Sequence, residues 1–277
     1  MTGVDSSAES PAVALESARS PITAAVGRFC LEQVETARDL YRVFVVTLYY
    51  SVRGEPNRKA FFRQMYEIGN RSLIFLCIVM GFIGMILVYQ GGLQTQRVVP
   101  DLSLLGATFL QLLVRDLAAS ICALMLATRV GAGIAAEIGS MVVTEQVDAL
   151  RMCATDPIDY LIRPRFLACL SVFGALVVIA AGVAFLAGMW TGYAFFGINP
   201  RTFANMSMVG PGDLTIGLTK CVAYGAAIPI ISGYCGLTAF GGSEGVGAAT
   251  TRAVVNSSLA VIILNFVISG TGYLIFG

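Results

Sequence analysis

The stretch FLACLSVFGALVVIAAGVAFLAGMWTGYAFF, Phe166 to Phe196, holds no charged residue in 31 positions. A helix rises about 1.5 Å per residue, so roughly 20 apolar residues cross the hydrocarbon of a bilayer. This segment is longer than one perpendicular crossing requires, which predicts a helix that tilts or continues past the lipid. The rest of the chain has the same character. Of 277 residues, 56% are hydrophobic and only 13% charged, against about a quarter charged in soluble domains. So few polar groups cannot cover a water-facing surface, and lipid must be the solvent.

Charges that interrupt the hydropathy divide the chain. The apolar run Leu73 to Tyr89 follows a basic cluster of Arg53, Arg58, Lys59, Arg63 and Arg71, opposed only by Glu55 and Glu67. By the positive-inside rule this places the cytoplasm before the first span. The expected spans are residues 72–96, 102–128, 164–196, 214–240 and 253–277. Arg129, Arg151, Arg163, Arg165 and Arg252 then fall on the inner side, and Arg97, Arg201 and Lys220 near the outer side. Five crossings from a cytoplasmic N-terminus leave the C-terminus outside. The expected architecture is an all-α integral membrane protein with five transmembrane helices and an N-terminal interfacial amphipathic helix.

That amphipathic helix is expected over residues 26–52. Val26, Phe29, Cys30, Val34, Ala37, Tyr41, Phe44, Val45 and Leu48 recur at helical spacing, with Arg28, Glu32, Glu35, Arg38, Asp39 and Arg42 on the other face. It suits a position in the plane of the membrane surface more than packing on a soluble domain. Residues 1–25, rich in Ser, Ala and Pro and lacking an apolar run, read as a disordered cytoplasmic tail rather than a signal peptide.

Several chemistries are disfavoured. Histidine is absent, which removes His-dependent triads and histidine metal ligation. The seven cysteines form no CxxC pair and mostly sit in apolar surroundings, so neither a metal site nor a disulfide framework is expected. A net charge of +1 provides no basic face for nucleic acid. No GxxxxGK[ST] phosphate loop is present, so any ATP-driven step belongs to another chain.

Two places stand out as functional candidates. Arg115-Asp116 lies in the middle of the second apolar span, where each charge costs about 2.5–3.5 kcal/mol on insertion scales. Adjacent residues on a helix point about 100° apart, so at least one must face a cavity or a polar partner on another helix. A structural ion pair that fixes packing and a polar element lining a substrate path both remain open. Tyr89, Gln90 and Gln111 are the further candidates for such a path. The second place is the charged segment 137–163, containing Glu137, Glu145, Gln146, Asp148, Arg151, Asp156, Asp159 and Arg163. Val142 to Met152 reads as a short helix with Thr144 as its N-cap, Glu145 and Asp148 near its start, and Pro157 as its breaker.

The wording here resembles a known family. Ala136-Glu137-Ile138-Gly139-Ser140-Met141-Val142-Val143-Thr144-Glu145-Gln146-Val147-Asp148-Ala149-Leu150 precedes Asp156-Pro157 and Arg163-Pro164-Arg165-Phe166. Together with Phe82-Ile83-Gly84-Met85, Gln90-Gly91 and Ala249-Thr250-Thr251-Arg252-Ala253, these residues resemble the MlaE-type permease family of MCE-associated lipid transporters over about residues 26–277. The resemblance implies two permease copies bound to cytoplasmic ABC ATPase subunits, which hold ATP and Mg, and to a periplasmic MCE-domain protein. The chain itself would carry no cofactor and perform no catalysis. It would sit in the bacterial inner membrane and help move phospholipid or another hydrophobic lipid between that membrane and the outer envelope. Glu137, Thr144, Glu145, Gln146, Asp148, Ala149, Leu150 and Arg151 would couple to the ATPase, and the second span would border a lipid cavity. The family's Arg-Glu-Leu-Gly-Pro stands here as Arg115-Asp116-Leu117-Ala118-Ala119, and Asn256 replaces a histidine of some relatives. The rival readings are a permease for another small solute and a membrane-embedded enzyme of lipid metabolism. Sparse intramembrane polar groups weigh against the first, and absent histidine against the second.

Overall fold

A computed structural model describes residues 34–51, 53, 58–98 and 104–276. Contacts divide the chain into two compact units, Met1–Val45 and Val46–Gly277. Of the expected amphipathic helix, residues 34–51 are helical (α1), and the remainder, like the expected tail, lies outside the described residues. The other elements are α2 (Arg58–Val98), α3 (Leu105–Val143), α4 (Gln146–Met152), α5 (Ile158–Phe196), α6 (Pro200–Phe203), α7 (Pro211–Leu237) and α8 (Gly242–Phe276). No strand occurs among the described residues. Five of the helices, α2, α3, α5, α7 and α8, are long and apolar enough to cross a membrane.

The long helices outrun the apolar segments that announce them. At 41 residues α2 is about 60 Å long, twice the hydrocarbon thickness, and its basic residues Arg58, Lys59, Arg63 and Arg71 occupy its opening turns. Likewise α3 runs on to Val143, so Glu137 lies on its closing turns rather than in a connecting loop. Hydropathy marks where lipid ends, whereas a helix ends where its hydrogen-bond ladder stops. Packing against α7 and α8 supports the extension: a Cβ at Gly139 would meet the Gly236 carbonyl oxygen of α7 at 3.8 Å and Val246 of α8 at 3.6 Å. The start of α8, residues 242–252, is polar yet helical for the same reason. Gly245 is obligatory there, since a Cβ would fall 1.8 Å from the Phe240 carbonyl oxygen.

The core joins α2, α3, α5 and α7 through Leu76, Met80, Phe109, Cys122, Phe173 and Tyr224. Lipid tails are as apolar as leucine, so close backbone approach must supply much of the helix association. The α2–α5 seam is built that way, with Gly84 against the Ala184 backbone and Gly188 against Val88 and Phe109. By contrast α8 leaves Leu259, Ile262, Ile263 and Phe266 exposed, an apolar flank suited to lipid or a neighbouring chain.

Candidate functional site: an interhelical charge network and an exposed short helix

Helix α3 departs from α geometry at Leu113–Leu117, a π turn that contains both Arg115 and Asp116. Such turns redirect side chains and recur at functional positions. Here each charge turns toward α7 and finds a counter-charge there. Arg115 Nη1 lies 3.3 Å from Asp213 Oδ1, and Gln111 Nε2 donates to Asp213 Oδ2 at 3.2 Å. The Gly210 amide donates to the same oxygen at 3.1 Å, which secures the first turn of α7. The guanidinium also stands over the Tyr273 ring of α8, 4.5 Å from its centroid. One step along α3, Asp116 Oδ1 accepts from Lys220 Nζ and, at 3.4 Å, from Ser120 Oγ. Lys220 Nζ donates a second bond to Ser269 Oγ at 2.7 Å. Ser269 and Tyr224 both donate to Asn265 Oδ1, at 3.4 and 3.1 Å.

Two ion pairs of opposite polarity therefore tie α3 to α7, and α8 joins them through the Tyr273 ring and the Ser269 hydroxyl. Asp213, Gly217 and Lys220 fall at i, i+4 and i+7, one face of α7. Gly217 is what lets this face approach: a Cβ would lie 2.5 Å from the Val114 carbonyl oxygen. Lys220 is 1% exposed. It is thus a buried, ion-paired member of the network rather than a free charge flanking the apolar run. Burying an ammonium is tolerable only with a paired anion and satisfied hydrogen bonds, which Asp116 and Ser269 provide. Both Arg115 and Asp116 have interhelical partners, so each has a structural role whatever else it does. Asp213 escaped the sequence reading because it precedes the apolar run. Its seven-residue spacing from Lys220, repeating in opposite sign the pair on α3, was the available signal.

Not every candidate joins this cluster. Gln111 does. Tyr89 instead packs edge-on against Phe195 at 5.3 Å and beside Phe196 at 6.1 Å, and Gln90 is exposed on α2.

At the other candidate place, α4 is short and almost wholly exposed, with Val147 as its one buried residue, 3% accessible. Gln146, Asp148, Ala149 and Arg151 are exposed and Leu150 is half-buried; Asp148 and Arg151 pair at 3.0 Å. Thr144 is not the N-cap. Its hydroxyl donates back to the Ser140 carbonyl at 2.8 Å, closing α3, and Glu145 occupies the cap position in the left-handed region at φ 59° without a capping side chain. Nor does Pro157 end α4. That end is a Schellman turn in which Thr155 N donates to Leu150 O at 3.1 Å and Ala154 N to Arg151 O at 3.0 Å, with Ala154 at φ 56°. Pro157 belongs to the entry of α5, where Asp156 Oδ1 accepts the Ile158 amide at 2.9 Å.

Glu137 is exposed, but its carboxylate is engaged away from the α4 surface. Its carboxylate bonds Arg165 Nη2 at 2.9 Å, bridging the end of α3 to the start of α5. Arg163, paired with Asp159 at 2.9 Å, and Arg165 are both buried. The Tyr50 hydroxyl donates to Asp156 Oδ2 at 3.2 Å, and that carboxylate raises the Tyr50 phenol above its ordinary value, so Tyr50 keeps its donor proton.

A bundle of five span-length helices among the described residues, pinned across its interior by paired charges and presenting a short exposed helix at one end, has the build of a multi-pass membrane protein. The family model for permease MlaE matches residues 61–271, and the chain belongs to that family. It is 39% identical over 240 residues to a probable ABC transporter permease protein of Synechocystis sp., covering 80% of this chain and 86% of the relative. It is 34% identical over 220 residues to the chloroplastic protein TRIGALACTOSYLDIACYLGLYCEROL 1 of Arabidopsis thaliana, covering 79% and 63%. It is also 32% identical over 232 residues to the intermembrane phospholipid transport system permease protein MlaE of Haemophilus influenzae, covering 80% and 87%. The chain is thus an ABC-type permease, a transport subunit rather than an enzyme.

Proposed function

We propose that this chain is the membrane subunit of an ATP-driven transporter that moves phospholipid, or a similarly hydrophobic lipid, between the inner membrane and the outer envelope. The observation that carries the coupling half of this reading is α4, a seven-residue helix held by one buried side chain between the ends of two spans. Such a helix fits a cleft on a motor protein, and its exposed residues Gln146, Asp148, Ala149 and Arg151 would make that contact. ATP and Mg would reside on cytoplasmic ABC ATPase subunits. That places α4 and the N-terminus in the cytoplasm and the C-terminus in the periplasm, where an MCE-domain protein would receive or deliver the lipid.

The lipid half draws support from the phospholipid-transporting relative and from the charge network. Arg115 and Asp116 are engaged by Asp213 and Lys220 respectively, so the network is close to neutral overall, with Gln111, Ser120, Asn265 and Ser269 as its uncharged polar members. Two copies of the chain would enclose the cavity, with ATP binding and hydrolysis displacing α4 and thereby α3 and α5. Arg115, with its side chain 24% exposed, is the group on this path best placed to meet a lipid phosphate.

Ala149→Arg tests the docking of α4. Arginine is a good helix former and position 149 is exposed, so the permease should fold unchanged. A long cation in the docking cleft is expected to weaken ATPase co-purification at least about tenfold, roughly 1.4 kcal/mol. Undiminished ATPase binding by a normally folded Ala149→Arg variant would rule out α4 as the docking helix.

A further inference from the structure

The connection between α4 and α5, residues 153–157, is held at both ends. Toward α4 it is closed by the Schellman bonds of Ala154 and Thr155. Toward α5 it is closed by Asp156 Oδ1 on the Ile158 amide at 2.9 Å. The other oxygen of the same carboxylate holds the hydroxyl of Tyr50, 106 positions away in sequence and ahead of α2. One side chain therefore caps a spanning helix and anchors a separate segment. A hydrogen bond to an ionised acceptor is about twice as strong as a neutral one.

We infer that Tyr50 is a positioning residue for energy coupling. Its bond to Asp156 fixes the α4–α5 connection to residues 46–51, so a displacement of α4 is passed to the chain ahead of α2 as well as to α3 and α5. This rests on the reading of α4 as the ATPase-docking helix. The mechanical argument is simple. Only Val147 buries α4, so a push on α4 rotates it about its ends unless those ends are held. The α3 end is continuous with a span through Thr144 and Glu145. The α5 end passes through Ala154 at φ 56° and Pro157, and Asp156 is the side chain that secures it. Tyr50 then decides whether the connection swings freely or carries residues 46–51 with it.

Tyr50→Phe removes the hydroxyl alone and leaves the ring stacked edge-on with Tyr49, 5.7 Å away. In the whole complex of permease and ATPase, reconstituted in phospholipid vesicles, lipid moved per ATP hydrolysed is expected to fall at least threefold at normal assembly and normal ATPase rate. Asp156→Asn should stay near the parent value, since an amide still accepts from Ile158 and donates to the Tyr50 oxygen. Asp156→Ala should lose as much as Tyr50→Phe, and the double variant no more than Asp156→Ala alone. Hydrogen–deuterium exchange over residues 153–158 should rise in Tyr50→Phe. Unchanged lipid per ATP overturns the inference, and so does unchanged exchange. If the parent complex moves no lipid at all, the transport reading fails, while the exchange comparison still judges the tether.

Discussion

Asp116→Ala is expected to destabilise the folded chain by about 3 kcal/mol, because it leaves the Lys220 ammonium buried without its anion. Ser269 still accepts one hydrogen bond from Lys220, but a hydroxyl does not neutralise a charge. The loss should appear as a lowered unfolding temperature and a reduced monodisperse fraction in detergent. Pairing the change with Lys220→Met, which replaces the buried cation by an apolar side chain of similar reach, should restore most of the stability. That reversal separates a charge-balance role for Asp116 from a purely transport role, since loss of a transport contact alone would leave folding intact in the single variant. An Asp116→Ala protein as stable as its parent would show that Lys220 is not held by this pair.

Gly217→Ala should be nearly as damaging, though it alters no charge. The added methyl would lie 2.5 Å from the Val114 carbonyl oxygen, a backbone atom that cannot rotate away. Relief requires α7 to move off α3, and overpacking of this kind costs about 1–3 kcal/mol. Asp213 and Lys220 flank the contact at four and three residues' distance, so both ion pairs lengthen together. The matched control is Gly174→Ala in α5, where a Cβ meets nothing within 4 Å. There alanine should be neutral or should stabilise the helix by about 0.5–1 kcal/mol. Thermal unfolding of the two variants side by side checks both statements, and equal behaviour would contradict the close α3–α7 approach.

The number and identity of the spanning helices were legible because the hydrophobic requirement of a bilayer is a local property of composition. A run such as Phe166 to Phe196 announces itself. The short helix that ends in Arg151 and Met152 was legible for a similar reason, its charges being clustered. What escaped were features that depend on pairing across distance. Lys220 looks like a border residue because unpaired lysines sit at borders. Its partner Asp116 is 104 positions away, and only the folded arrangement shows that the two cancel. Asp213, just ahead of the apolar run, likewise shows its role only through Arg115, 98 positions away. Helix ends were misjudged where backbone geometry, not side-chain type, decides them. Ala154 adopts a left-handed conformation usually reserved for glycine, and Thr144 bonds backward to α3 instead of forward to α4. The π turn at Leu113–Leu117 has no signature in residue type.

The charge network holds α3, α7 and α8 together, and α4 stands exposed at the end of α3. Under the proposed function α4 would receive force from the ATPase, and ATP hydrolysed outside this chain would drive movement of lipid through it. The direct test is to co-purify the chain with the proposed ABC ATPase subunit, place the complex in vesicles with a fluorescent phospholipid, and follow lipid transfer to acceptor protein or vesicles with and without ATP. The account predicts transfer that requires ATP and is lost in Ala149→Arg. Transfer of a hydrophilic solute with no ATP-dependent movement of phospholipid would contradict it.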